Sequence, residues 1–476
     1  VLAVGCSVGL DPPESQRPES PAADSGDSAE DRAGVAAGDG PAVLVGAEVL
    51  VESGFSVLKG RKIGLIANQT SVVGGRHLID VLHEAPEVEL VAVFAPEHGV
   101  RGSLGAGVGV DDETDPETGV PVLSLYGETR EPTPQMLEGI DTLVYDLQGV
   151  GGRFYTYVST MGLAMKAAAA AGISFVVLDR PDPSGGLRPQ GPLLEPDQLS
   201  FIGQYPVPSA YAMTPGELAR AILGEGWLPV GGLDLVVVPM KGWRRGMTWA
   251  ETGLVWIAPS PGLQTPSSAV TYLGTVVFEA TSISYGGGTA DTFEVIGAPW
   301  ADEQAMAQRL SARRLPGVAF EPVVFVPGPL PGRTANPRLN GVENRGVRIR
   351  IVDHSVFEPV AAGLHLLDEF HTAWLAGPGS GAAAAADAAE SAAGTADGDA
   401  VNPGRGEPVD TADDTDDGVV GDEPLFFDRP RTMALLAGTT SLQADIEAGR
   451  GAAAIAAGWH DGLAAFDDIR RRYLIY

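Results

Sequence analysis

The chain has 476 residues, with 31 Lys and Arg against 62 Asp and Glu, a formal net charge of −31 and 44% hydrophobic residues. That length suits two or three domains, and the acid excess excludes a nucleic-acid partner, whose phosphates release counterions only to clustered Lys and Arg. The single cysteine excludes an intrachain disulfide and a cysteine-based zinc site, and apolar stretches such as 173–178 are far shorter than the roughly 20 residues of a membrane span.

In chain order, the first feature is Leu2-Ala3-Val4-Gly5-Cys6, followed at once by Pro-, Ser- and Asp-rich sequence. An apolar segment ending in small residues reads as the tail of a secretory signal, and Cys6 resembles the lipidated cysteine of a bacterial lipobox. Residues 1–6 are then a signal remnant. The expected location is extracytoplasmic, at the outer face of the cytoplasmic membrane, with membrane contact only through a lipid anchor on Cys6. Residues 7–40 hold eight acids and two Arg, and 377–423 hold twelve acids against Arg405 alone. Neither buries enough surface to offset the entropy of ordering. The first is expected to be a disordered acidic tether, the second a disordered acidic insertion.

Residues 41–232 alternate apolar runs with helical patterns. Expected strands are 62–67, 88–95, 142–147 and 174–178, with a further one at 234–238; several are continuous Val/Ile/Leu runs, as in strands covered on both faces. Expected helices are 76–84, 157–171 and 214–224, the last opened by a capping box, Thr214-Pro215-Gly216-Glu217. The fold class is α/β, with a parallel, Rossmann-like sheet in the first domain. Residues 233–476 read as a smaller α+β domain interrupted by 377–423. Its last part carries Trp459, Phe466 and Tyr473 at helical spacing and is expected to pack back on the body.

Polar clusters follow the strands directly: Asn68-Gln69-Thr70-Ser71, Pro96-Glu97-His98-Gly99-Val100-Arg101-Gly102, Asp146-Leu147-Gln148 and Asp179-Arg180-Pro181-Asp182. In open parallel sheets, ligands bind beyond the carboxyl ends of strands, so four clusters converge on one rim. A dinucleotide site does not fit, because Gly149-Val150-Gly151-Gly152 lacks the fingerprint spacing and Gly286-Gly287-Gly288 lacks a strand–helix context. The seven histidines form no metal motif, and no nucleophile elbow is present.

Carboxylates, aromatics and arginines remain. Glu97 lies in a loop pinned by Pro96 and Gly99, and Asp146, Asp179 and Asp182 could share its cleft. A pair of carboxyl groups, one protonated and one ionised, is the apparatus of glycosidic cleavage. Phe154-Tyr155-Thr156-Tyr157 offers rings for stacking on a sugar, and Arg101 and Arg153 could grip a substrate carboxylate. Equally, Arg153 could pair with Asp146 or Asp179, Phe154 and Tyr157 could be core, and Asp179 could structure its loop. The residues alone give an α/β enzyme acting on a polar, saccharide-like ligand.

These strings, together with Ser124-Leu125-Tyr126-Gly127, Trp243-Arg244-Arg245 and Gly297-Ala298-Pro299-Trp300, resemble the NamZ-type exo-β-N-acetylmuramidases, a bacterial family long known as a domain of unknown function. The likeness runs from about residue 43 to 370 and from 425 to 476. It implies an active-site cleft between a Rossmann-like domain and a smaller second domain. The implied activity is release of terminal β-1,4-linked N-acetylmuramic acid from the non-reducing ends of peptidoglycan fragments such as MurNAc-GlcNAc, without a cofactor. Glu97 would be the catalytic acid, with His98 and Asp146 orienting it or activating water. Arg101 and Arg153 would read the lactyl carboxylate, Tyr155 and Tyr157 would shape the sugar site, and Asn68, Gln148, Asp179 and Arg180 would contribute to substrate binding. Glu279 and Glu294 would close the cleft from the second domain.

The sequence departs from the family pattern. Gly149 stands where the family has Asp, Ser282 where it has Asn, Gly287 where it has Arg, and Gly262 ends its S-P-N motif. A charge-assisted hydrogen bond lost at such a place costs roughly 1.5–3 kcal/mol. The alternative expectation is therefore a divergent, non-catalytic surface lipoprotein that binds muropeptides.

Overall fold

Residues 43–101, 112–377 and 425–476 are described by a computed structural model. Cys6, the 7–40 tether, Gly102 and all of the 377–423 insertion beyond Gly377 lie outside the described residues.

The first half runs α1 (Gly46–Glu52), β1 (Lys62–Ala67), β2 (Val72–Val73), β3 (Arg76–His77), α2 (Leu78–Glu84), β4 (Glu89–Ala95), β5 (Glu113–Thr114), β6 (Pro121–Ser124), β7 (Thr142–Asp146), α3 (Tyr157–Ala171), β8 (Ser174–Leu178), β9 (Gln190–Leu193), β10 (Pro208–Ala210), α4 (Pro215–Glu225) and β11 (Leu235–Val238). Among the described residues, seven of these strands form one sheet in the order β11-β8-β7-β1-β4-β6-β5. All pairings are parallel except the antiparallel β5–β6 edge. From β1 the chain steps outward through β4 to β6, then returns to β7 on the other side of β1, as in a doubly wound α/β sheet. The reversal falls between β1 and β7, where Ala67 pairs with Asp146.

The side chains explain the layering. Successive strand residues face opposite ways: Ile63, Leu65 and Ala67 enter the core under α1 and α2, while Ile66 enters the core under α3 and α4. A Cβ at Gly64 would lie 2.6 Å from the Phe94 ring, so this position on the α3 side must stay small. Thr214 and Glu217 cap α4 reciprocally, with Pro215 in its first turn and Gly226 left-handed at its end. The expected helix at 76–84 begins at Leu78 because Arg76 and His77 pair with β2 and the His77 ring accepts from the Ile79 amide. The sheet takes in β11, so the first body runs past the boundary expected at residue 232.

The second body follows: α5 (Trp249–Thr252), α6 (Pro266–Thr275), a 3₁₀ turn at Val276–Ala280, β12 (Val295–Ala298), α7 (Glu303–Ala312), β13 (Val318–Phe325), β14 (Asn344–Ile351) and α8 (Pro359–Ala376). Its strands form an antiparallel sheet, β12-β14-β13. Helices α6 and α8 meet backbone to backbone. A Cβ on Gly274 would lie 1.9 Å from the Pro359 carbonyl oxygen, and one on Gly363 would lie 2.0 Å from that of Gly274. Beyond the insertion come α9 (Pro430–Ala437), α10 (Ser441–Glu447), α11 (Ala452–Ala457) and α12 (His460–Arg470). Helix α12 returns to the first body, where Phe466 joins the core under α3 and α4. The Ile475 amide donates to Glu217 at 2.8 Å, and the Tyr476 hydroxyl donates to Asp179 at 2.9 Å.

Candidate active site

The residues that follow β1, β4 and β7 brace one another at the reversal point. Asn68 is fully buried; its Oδ1 accepts from the Thr70 amide (2.9 Å) and hydroxyl (2.6 Å). The Thr70 hydroxyl in turn accepts from the Gln148 amide at 3.2 Å, and Gln148 Nε2 donates to the Pro181 carbonyl at 2.8 Å. The His77 ring receives an N–H at Nδ1, so its Nε2 carries the proton that reaches the Asn68 carbonyl at 2.9 Å. Burial lowers the His77 pKa, which keeps this tautomer neutral.

On this brace sits the β4 loop. Glu97 is half-buried. The Thr156 hydroxyl donates to its Oε2 at 2.7 Å. The Tyr157 hydroxyl lies 3.3 Å from the Glu97 carbonyl and donates to the Pro259 carbonyl at 2.7 Å, while Asn68 Nδ2 donates to it at 2.8 Å. Next to Glu97, His98 is buried with a left-handed backbone (φ 74°), an uncommon conformation that re-aims the loop. The loop before α6 forms a wall, since Gln69 Nε2 donates to the Ala258 carbonyl at 2.9 Å.

Aromatic rings line the same place. Tyr155 meets Tyr157 edge-on at 4.8 Å and Tyr272 of α6 at 6.3 Å. Tyr272 meets Phe293 at 4.7 Å, and Tyr285 stacks on Phe293 at 5.1 Å. Burial pushes the Tyr155, Tyr157 and Tyr272 phenols well above their ordinary value. For Tyr272 the next causes are the charges of Glu279 and then Glu97, which places one phenol in the field of both acids. Glu279, on the 3₁₀ turn after α6, is half-buried.

The other expected site residues are placed differently. Asp146 is fully buried and gripped by Arg180, with Nε 2.6 Å from Oδ1 and Nη2 2.8 Å from Oδ2. Asp179 accepts from the Gly216 amide and the Thr214 and Tyr476 hydroxyls, so it ties β8 to the start of α4. Arg153 is 1% exposed, and among the described residues its hydrogen bonds run to the carbonyls of Pro192, Val207 and Leu436, with no carboxylate paired to it. Burial pulls its pKa down to about 9. It is a buried pin between the β9–β10 segment and α9, not a guanidinium open to a substrate. Arg101 is 38% exposed at its side chain and is held by Asp115 at 2.8 Å. Glu294 accepts from the Thr265 hydroxyl at the start of α6 at 3.2 Å.

The structure thus brings Glu97, Tyr155, Tyr157 and Asn68 together and uses Asp146, Arg180, Asp179 and Arg153 as framework. Thr156 and Tyr272 are the residues that sequence reasoning did not single out. Two recesses lie elsewhere: one is lined by Arg188, Gln190 and His354, the other by Leu273, Leu364, Leu436 and Trp459. The chemistry favours the Glu97 rim over both. Of the departures, a Cβ at Gly149 would lie 3.7 Å from the Pro215 ring, in ordinary contact, whereas one at Gly287 would lie 3.0 Å from the Tyr285 ring.

Comparison with known proteins bears on this geometry. Residues 63–267 match the family described as exo-β-N-acetylmuramidase NamZ, N-terminal, and residues 270–476 match its C-terminal counterpart. The chain is 42% identical over 332 residues to the peptidoglycan β-N-acetylmuramidase NamZ of Bacillus subtilis, covering 70% of this chain and 78% of that protein. Two solved DUF1343 family proteins from Bacteroides fragilis are similar in structure. One has a TM-score of 0.74 at 34% identity and covers 91% of this chain and 99% of its own. The other has a TM-score of 0.67 at 29% identity, covering 92% and 99%.

Proposed function

The chain belongs to the exo-β-N-acetylmuramidase NamZ family, and from that premise we propose that it is an exo-acting glycoside hydrolase releasing terminal β-1,4-linked N-acetylmuramic acid from the non-reducing ends of peptidoglycan fragments. The observation that carries the mechanism is Glu97, half-buried at the sheet reversal, hydrogen-bonded by Thr156 and flanked by phenols. Glu97 is the general acid. It gives its proton to the glycosidic oxygen as the bond from C1 breaks, the bonding pair leaves on that oxygen as the N-acetylglucosamine hydroxyl, and a water molecule bonds to C1 and gives up a proton, which restores the acid.

The developing positive charge on the sugar needs a second carboxylate. Asp146 is committed to Arg180, and Asp179 to the start of α4. Glu279, half-buried on the 3₁₀ turn after α6, is the acid we propose for that role. The Tyr155, Tyr157 and Tyr272 phenols, kept neutral by burial, shape the sugar pocket. Arg101, at the end of the Glu97 loop, is better placed than buried Arg153 to meet the lactyl carboxylate. The Cys6 motif supports a lipid anchor outside the cytoplasmic membrane, where cell-wall fragments are available.

The glycines at 149 and 287 favour a second reading, a muropeptide-binding lipoprotein without turnover. The disaccharide MurNAc-β-1,4-GlcNAc, whose leaving group needs a proton, separates the two. Release of N-acetylmuramic acid by the wild type, and not by Glu97→Gln, is the expected result. Binding of muropeptide with no release by either protein would replace the hydrolase reading with the binding one.

A further inference from the structure

The arginines of β14 and its surroundings are spent on acids. Arg338 pairs with Asp428, Arg345 with Glu303 and Glu343, Arg348 with Asp291 and Arg350 with Glu321. Arg333, in the connection between β13 and β14, is not. Among the described residues its guanidinium makes one hydrogen bond, from Nη2 to the neutral Gln264 Oε1 at 2.6 Å, and no ion pair. The connection is built to hold it there. Pro327, Pro329 and Pro331 restrict the backbone. The Leu330 carbonyl accepts from the Arg333 and Thr334 amides, both at 3.0 Å, which puts Arg333 in a tight turn. Near the start of the connection, the Gly328 amide donates to the Gly288 carbonyl at 3.0 Å, just beyond Tyr285.

Both anchors of this connection belong to the candidate site. Tyr285 stacks on Phe293. Gln264 Nε2 donates to the Pro261 carbonyl at 2.8 Å, in the wall whose Pro259 carbonyl takes the Tyr157 hydroxyl. Gly262 of the same wall lies against Phe293, where a Cβ would be 3.3 Å from the ring. Arg101, the guanidinium on the Glu97 loop, is already answered by Asp115 at 2.8 Å and Asp80 at 3.6 Å.

We propose that Arg333 is a specificity-determining residue that binds the lactyl carboxylate of the terminal sugar. The inference rests on the reading of the chain as a muramidase. Gln264 orients the guanidinium without neutralising it. Whichever Nη2 hydrogen Gln264 takes, one complete edge of the fork stays open, shared with Nε or with Nη1, neither of which is hydrogen-bonded among the described residues. Such an edge holds both oxygens of a carboxylate. N-acetylglucosamine, the same sugar without the lactyl acid, offers nothing to it, so Arg333 selects muramyl ends over glucosaminyl ends.

The test compares wild type with Arg333→Gln on MurNAc-β-1,4-GlcNAc and on the same disaccharide with its lactyl acid converted to the neutral amide. On the acid, Arg333→Gln should lower kcat/KM about 10- to 50-fold, mainly through KM, with kcat within about 3-fold of wild type. On the amide the two proteins should agree within about 3-fold, because the charge has no partner there. The deciding quantity is the preference for acid over amide. It should shrink at least about 5-fold in the variant, the least that loss of a charge-assisted bidentate contact predicts. A smaller change, including equal losses on the two substrates from a merely structural role, would overturn the proposal. Wild type inert on both substrates would instead overturn the hydrolase reading beneath it. The same preference, read as affinities by titration calorimetry with the two disaccharides, then decides on Arg333, and an absence of binding would overturn both.

Discussion

The Arg180 guanidinium lies against the Asp146 carboxylate as a two-pronged pair, 2.6 and 2.8 Å, with both side chains buried at the strand ends. Desolvating two charges costs most of what their attraction returns, so the pair adds little net stability, yet removing one partner strands the other in the interior. Asp146→Ala should therefore destabilise the fold by about 3–5 kcal/mol, while the double change Asp146→Leu with Arg180→Met should recover most of that loss. Urea unfolding midpoints check this, and an Asp146→Ala midpoint equal to wild type would rule it out.

Glu97→Gln should separate catalysis from folding. The glutamine keeps the size of the side chain and an oxygen to accept from Thr156. Activity on MurNAc-β-1,4-GlcNAc, whose leaving group needs a proton, should fall by roughly 10²- to 10⁴-fold, the usual share of a general acid. Thermal melts should show a stability within about 1 kcal/mol of wild type. A variant that stays active would remove Glu97 from the mechanism.

The contact between Gly274 and Gly363 makes a sharper stability prediction. In Gly363→Ala the added methyl would lie 2.0 Å from the Gly274 carbonyl oxygen, so α6 and α8 must separate. Overpacking of this kind costs about 1–3 kcal/mol, more than the helix propensity gained by replacing glycine, about 1 kcal/mol. A lowered unfolding midpoint is expected. A raised one would mean that the helices slide apart without cost.

Asp179 should leave a mark on the pH dependence. Burial pushes its carboxyl up to about 7, against hydrogen bonds from Gly216, Thr214 and Tyr476. In the unfolded chain the same group ionises near pH 4 (about 3.9). Its contribution is full below about pH 4 and is lost as pH rises towards about 7, because over that window only the unfolded chain releases the proton. Asp179→Asn removes the titration, so its melting temperature should fall less than that of wild type between these pH values. Parallel curves for the two proteins would exclude Asp179 as the source.

Much of this was written locally in the chain. The unbroken apolar runs of β1, β7 and β8 mark strands covered on both faces, and Thr214 with Glu217 marks the start of α4. The clusters at strand ends mark the rim. Strand β6, four residues beginning with Pro121, is too short to stand out, and β5 has two residues. Pairings across long separations were harder to read. Arg153 could have met Asp146 or Asp179; instead Arg180, 34 residues beyond Asp146, takes that acid. Arg153 finds the Leu436 carbonyl 283 residues away, where no pattern points. Tyr272 looks like any aromatic on a buried helix face until α6 is packed against Tyr155.

Phe466 fills the core under α3 and α4, and Ile475 and Tyr476 are bonded to Glu217 in the first turn of α4 and to Asp179 at the end of β8. During synthesis the strands of the large sheet are all present by residue 238, but the core under α3 and α4 lacks Phe466 until residues more than two hundred positions downstream have been delivered. The segment that matches the family's N-terminal part therefore has its core closed by a residue of the segment that matches its C-terminal part.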